Sequence, residues 1–343
     1  RMPSKEVYNR MLKKGIRVDK CPYNRNDSLA SETDLDELFN VLIKYKDQHG
    51  NHPVVTANTI VANPDFDKIK DSGYQEYYYE PFVETLSKYP EHTNSFNIWK
   101  KGINECLFYP QFHGREHVNV GYWLKLLQLK NNMMHTAFLN RFWGLGPNIL
   151  GSNRPNIQAT FDVPDVTDLP FIVQSAIEGL RIFNNLFKYK SFSFIANNFI
   201  WDSEIFPVLS DNGVKYIQGM KYQLLPKYDS NKRKKIRHYT GERNSSNQTF
   251  LVRNCAFEPS ENPNRDNVDS CLSDISNAFF WQKPAIISSH RLNYIGFINN
   301  NNRNKNLDEL DKLLSAILKK WPEVEFMRST ELGELIASDC MLS

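Results

Sequence analysis

The chain has 343 residues, with 42 Lys and Arg against 39 Asp and Glu, a formal net charge of +3 and 41% hydrophobic residues. So small a positive excess excludes the strong field of a nucleic-acid-binding surface, and the apolar fraction is enough for a sizeable core. No apolar run is long enough to span a bilayer and no signal-peptide pattern is visible, which sets the expectation of a cytoplasmic protein. The 5 cysteines are scattered and form no C-x-x-C pair, which favours a reducing compartment and argues against a cysteine-built zinc site.

Along the chain, strand-like and helix-like runs alternate. Residues 5–14 read as a helix, and Thr33 and Asp36 have capping-box spacing ahead of Leu38, Phe39, Leu42 and Ile43. Strand-like runs cover 53–58, 106–112, 156–161, 191–196, 214–219, 249–257, 284–289 and 324–327. Residues 118–129 read as a helix. Ile172, Ala176, Leu180, Phe183 and Phe187 form a helical stripe behind the start signal Asp168-Leu169-Pro170, and Asn306 and Glu309 open another helix. Strands alternating with helices predict a mainly parallel α/β sheet, and this many strands favour a closed or nearly closed barrel in a single domain spanning 1–343. Two polar stretches read as loop insertions: 221–248, with the charge run Lys232-Arg233-Lys234-Lys235, and the Asn-rich 299–306.

The stretch His113-Gly114-Arg115-Glu116-His117 carries the strongest chemical signal. Side chains four apart on a helical turn share a face, so His113 and His117 can reach one metal ion. Without cysteine partners that ion is Zn²⁺ first, then Co²⁺ or Ni²⁺. The alternative is a strand-end residue and a surface helix residue at a chance spacing. His-x-x-Glu-His is also the inverted zinc-peptidase pattern, with Glu116 as general base. Pro110 and Gly114 oppose a helix through His113 and place the motif at a strand-to-helix corner, where barrel enzymes carry their active sites. Downstream, the apolar run 285–289 ends in His290, followed by Arg291 and Asn293. In a barrel every strand delivers its carboxyl end to one face, so His290 converges on the earlier pair.

Taken together, the chain resembles the polysaccharide deacetylase family, a distorted (β/α) barrel of metal-dependent carbohydrate esterases with seven or eight strands. The resemblance covers most of the chain. It is carried by His113 and His117, by the aromatic-rich turn Phe194-Ile-Ala-Asn-Asn-Phe-Ile-Trp201, by Val208-Leu-Ser-Asp-Asn-Gly213 before the next strand, and by His290. It implies that the paired histidines bind one divalent ion, that His290 is the general acid, and that the substrate is an N- or O-acetylated sugar or polysaccharide. Tyr109, Phe199 and Trp201 would then lie near the rim, placed to stack on sugar faces.

The chain departs from the family at two points. The family's first strand ends in Asp-Asp, which supplies the base and a third metal ligand, and no such strand is found here. The expectation is that both lie upstream of Arg1. Asp162 is the alternative ligand within the chain, and Asn58 is a poor substitute. Nor is the Arg-x-Pro-aromatic motif intact: Ala196-Asn197-Asn198-Phe199 occupies its place, leaving Arg154 or Arg291 to supply the guanidinium. A catalytically silent barrel that binds carbohydrate or a partner is the second reading, and a zinc peptidase the third.

Overall fold

The structure is a computed structural model that describes residues 2–151, 155–226 and 233–342. Helix α1 (Lys5–Lys13) starts where the Ser4 hydroxyl accepts from the Val7 amide and turns Met11 into the core. Helix α2 (Glu32–Leu42) has a full capping box: Ser31 Oγ accepts from Asp34 N at 3.2 Å, and Asp34 accepts from Ser31 N at 3.0 Å. The box lies two residues before the expected Thr33 and Asp36. Ser31 has the extended backbone that a cap requires, whereas Thr33 is already inside the first turn.

Five strands make the central sheet: β1 (Val55–Thr59), β2 (Phe108–Phe112), β3 (Ser193–Ile195), β4 (Tyr216–Gly219) and β5 (Thr249–Val252). They lie in sequence order and all neighbours pair parallel. Parallel pairing needs crossovers, and the long ones carry helices. Between β2 and β3 run α3 (Val120–Gln128) and α4 (Leu169–Phe187), the latter with Pro170 in its first turn as expected. After β5 the backbone steps through Arg253 and Asn254 into the short strand β6 (Cys255–Ala256). Helix α5 (Asn267–Phe280) leads to β7 (Ile287–Ser288), parallel to β6, and α6 (Asn300–Lys320) follows. The fold is therefore α/β with a parallel sheet.

Four expected elements differ. Residues 156–161 form turns, because the Asn156 side chain accepts from the Gln158 amide and Ala159 and Asp162 close onto Asn156 and Ala159. Residues 324–327 form no regular element and join no sheet; the Phe326 amide is taken by the Asp47 carboxylate at 2.9 Å. The Asn-rich 299–306 is not a loop but the start of α6, capped by Asn299 seven residues before the expected opening at Asn306. Asn is a strong cap, and this run has it at the right place. Within 221–248, Tyr222–Leu224 and Lys235–Arg237 pair as a small antiparallel hairpin.

One core cluster lies between α4 and the sheet, where Phe112, Phe161, Phe183 and Phe194 are fully buried. Each such ring contributes about 1.5–3 kcal/mol. Helix α4 sits so close to β2 that a Cβ on Gly179 would meet the Phe112 ring at 2.8 Å and Arg115 Cβ at 3.0 Å. Alanine raises helix propensity by about 1 kcal/mol, but displacing a buried ring costs about 1–3 kcal/mol. Gly179→Ala should therefore lower the urea midpoint; an unchanged or raised midpoint would mean that α4 can slide off β2 freely.

Candidate active site at the carboxyl ends of the strands

Strand β2 ends at Phe112, and the His113 amide bonds the Thr59 carbonyl at 2.9 Å, which ties the ends of β1 and β2 together. Residues 113–119 are a loop, not a helical turn, opened by Gly114 at φ +122°. The expected shared helical face is thus absent. The loop itself brings the two imidazoles together, with ring centroids 5.2 Å apart and planes 74° apart. His113 Nδ1 bonds the Ile195 carbonyl at 2.8 Å. Because a carbonyl only accepts, Nδ1 carries the proton, and a metal ion would be met through Nε2. The His117 ring stacks against Trp143 at 6.0 Å.

Between the histidines, Arg115 and Glu116 turn inward. Glu116 is fully buried, bonding Arg115 Nε at 2.6 Å and the Ser175 hydroxyl of α4 at 2.9 Å. Arg115 also bonds Glu178 at 2.5 Å and stacks over the Tyr79 ring at 4.3 Å. Burial opposes its charge, yet Glu116, together with Tyr77 and Glu178, holds the guanidinium above its ordinary pKa. Glu116 is therefore occupied in the scaffold and does not face the imidazoles as a peptidase base must.

His290 follows β7. Its Nδ1 bonds Glu258 Oε1 at 2.7 Å, and Glu258 Oε2 accepts from the His290 amide at 3.1 Å and from Asn293 Nδ2 at 3.0 Å. Glu258, just beyond β6, thus fixes both the ring and the backbone that carries it. A carboxylate cannot donate, so Nδ1 holds the proton and Nε2 is left for proton exchange. Tyr23 bonds the neighbouring Glu261 and packs edge-on against His290 at 5.4 Å. Glu258, Glu261 and His290 also offer three ligand atoms within 4.8 Å of one another, a group able to hold a metal ion. The two roles exclude each other, since a coordinated Nδ1 cannot donate to Glu258.

His113, His117 and His290 all line one cavity of about 1480 Å³, which runs from this rim down between β1 and β7. Arg253 lines it as well. Burial pushes its guanidinium down to about 10 against the opposing pull of Glu258, and among the described residues its guanidinium bonds Ser288 Oγ at 3.2 Å. Asn198 and Phe199, both at φ 57°, form a strained turn at the edge.

The other sequence candidates are placed elsewhere. Asp162 is clamped by Arg233 at 2.8 and 2.5 Å and forms no ligand group with the histidine pair. The basic run is therefore not wholly solvated. Trp201 is buried in the core against His238, because the 197–199 turn directs the chain inward. Tyr109 lies near the amino end of β2, stacked on Tyr189 at 5.4 Å under Arg328, and is not a rim residue. Asn197 is buried beneath the histidine loop, where a Cβ on Gly114 would meet its Oδ1 at 3.5 Å. Arg291 pairs with Asp27 at 2.9 Å, bracing the His290 turn against 22–27. Arg154 lies outside the described residues. Glu258 and Arg253 were missed, though each is a charge at the end of an apolar strand run.

The chain matches no protein-family model and no curated protein sequence. Among the described residues no helix is long and apolar enough to cross a membrane.

Because removing one partner of a buried pair leaves a charge uncompensated, Glu116→Ala should cost about 3 kcal/mol. Its metal content, measured by atomic emission on the folded fraction, should stay at the wild-type level. Loss of metal with stability unchanged would make Glu116 part of the site.

Proposed function

We propose that this chain is a metal-dependent deacylase of the polysaccharide deacetylase kind, removing acetyl groups from an N- or O-acetylated sugar. On this reading the five-stranded sheet and the β6–β7 pair are arcs of one interrupted barrel. The observation that carries it is the Glu258-held imidazole of His290, opening onto the same cavity as the His113 and His117 rings.

The donor set fits a divalent ion in part: two neutral imidazoles, one fixed through its carbonyl bond, suit Zn²⁺, Co²⁺ or Ni²⁺. Bound there, the ion would polarise the acyl carbonyl and ease deprotonation of water. His290 Nε2 passes a proton to the departing sugar oxygen or nitrogen, and Glu258 offsets the imidazolium charge while that proton is held. A second reading, a barrel that binds glycan without turnover, is favoured by one observation: no group of three ligands among the described residues includes His113 or His117.

Acetate release from N-acetylated chitin oligomers and from O-acetylated xylan tests the choice. His290→Ala should keep its metal and lose roughly 10²–10⁴ in turnover, the share of a positioned acid. Loss of metal from that variant would move the ion to the Glu258, Glu261 and His290 group. Glycan binding without acetate release by the metal-loaded parent would favour the binding barrel.

A further inference from the structure

Strand β4 leaves the sheet at its carboxyl end, on the same side as the histidine loop that follows β2, and leads directly into the hairpin of Tyr222–Leu224 and Lys235–Arg237. The antiparallel register sets Tyr222 opposite Arg237 and Leu224 opposite Lys235. Because side chains alternate along a strand, these four share one face, and Gln223 and Ile236 share the other. The inner face is anchored. Gln223 Nε2 donates to the Trp201 carbonyl at 2.9 Å, and Gln223 Oε1 lies 2.9 Å from His238 Nε2. Leu224 also bridges to Ile200, beside the Asn198–Phe199 turn at the cavity edge. Arg233 clamps Asp162, whose carbonyl accepts from Asn119 at the end of the histidine loop. The hairpin is thus a fixed platform next to the candidate active site.

Its outer face is aromatic and cationic. Tyr222 is 45% exposed, with Lys221 Nζ and Lys235 Nζ at 5.7 and 5.9 Å from its ring centroid. Arg237 stands across from it, and Tyr239, two residues further along, is 66% exposed. The carboxylates tied to the hairpin, Asp162 and Glu242, are taken by Arg233 and His238, so that among the described residues Lys221, Lys235 and Arg237 have no ion-pair partner. A surface that only needs solvation intersperses both signs, whereas one sign gathered around exposed rings suits a ligand of the opposite charge. Aromatic rings can stack on the apolar face of a sugar, while ammonium and guanidinium groups pair with acids carried on it.

We propose that the outer face of this hairpin is a subsite for an anionic polysaccharide, one that carries carboxylates along its chain as uronic acids do. Tyr222 and Tyr239 are its stacking surfaces, and Lys221, Lys235 and Arg237 pair with its acid groups. The inference deepens the deacylase reading and rests on it for the polymer being a glycan; what it adds is the charge of that glycan.

Titration calorimetry with galacturonate oligomers and with the same oligomers fully methyl-esterified tests it without turnover. The acid form should bind at least about tenfold more tightly at low salt, and added salt should shrink the difference. Lys235→Glu and Arg237→Glu should each weaken binding of the acid roughly fivefold, the effect of turning an exposed ion pair into a repulsion. Lys319→Glu, at the carboxyl end of α6 and outside the hairpin, makes the same change in net charge and should have no effect. Equal affinity for acid and ester, or an equal loss in Lys319→Glu, would overturn the subsite. A single-stranded RNA that binds more tightly than galacturonate, and is lost in the same hairpin variants, would assign the face to nucleic acid instead. Acetate release from neutral glycans with no preference for the acid form would keep the deacylase reading and overturn this one. Preferential binding of the acid form with no acetate release from any glycan would do the reverse.

Discussion

The buried Arg115–Glu116 pair is the constraint on which the site depends. Adjacent residues of opposite charge turn into the protein between two histidines that turn out of it, so the loop has one way to lie. Charges this deep are costly unless every lone pair and donor is used. Here much of that cost is offset: Ser175 and Glu178 from α4 extend the network, and Tyr79 covers the guanidinium. Helix α4 can reach these groups only because Gly179 lets it approach Phe112 and Arg115. The close seat of one helix thus fixes the direction of two imidazoles.

A second carboxylate does the corresponding task on the opposite side of the cavity. Glu258 bonds both the ring and the amide of His290, so the histidine has a defined tautomer and a defined direction. Glu116 and Glu258 are the same residue type in contrasting situations. One is sealed against an arginine and serves the scaffold; the other faces an imidazole at the cavity and fixes its tautomer and direction. Proximity to a histidine in sequence is thus a poor guide to a carboxylate's role, and the hydrogen-bond partner decides it.

Much of the sheet was legible in the sequence, because parallel strands buried on both faces leave short continuous apolar runs. The strands at 108–112, 193–195 and 216–219 fall inside the expected runs, that at 55–59 passes the end of its expected run 53–58 by one residue, and α4 keeps its expected stripe. The failures share a cause. At 156–161 and 324–327 the backbone amides are taken by side chains, Asn156 and Asp47, which apolar patterning does not register. At 299–306 asparagines read as a loop serve to cap and begin a helix.

At the site, the corner holding His113 and His117 and the strand-end position of His290 were visible as types at positions. Their partners were not, because Glu258 and Arg253 acquire meaning only through the fold that carries them to the cavity. The aromatics Tyr109 and Trp201 were expected at the rim by their nearness to strand ends. Tyr109 stands at the amino end of its strand, and a strained turn sends Trp201 into the core.

Anomalous diffraction at the zinc edge, from crystals of this protein grown with zinc, tests the central claim most directly. The account predicts one strong peak within bonding distance of His113 Nε2 and of His117, with the His290–Glu258 hydrogen bond intact. A sole peak among Glu258, Glu261 and His290, or none at the histidine pair, would contradict it.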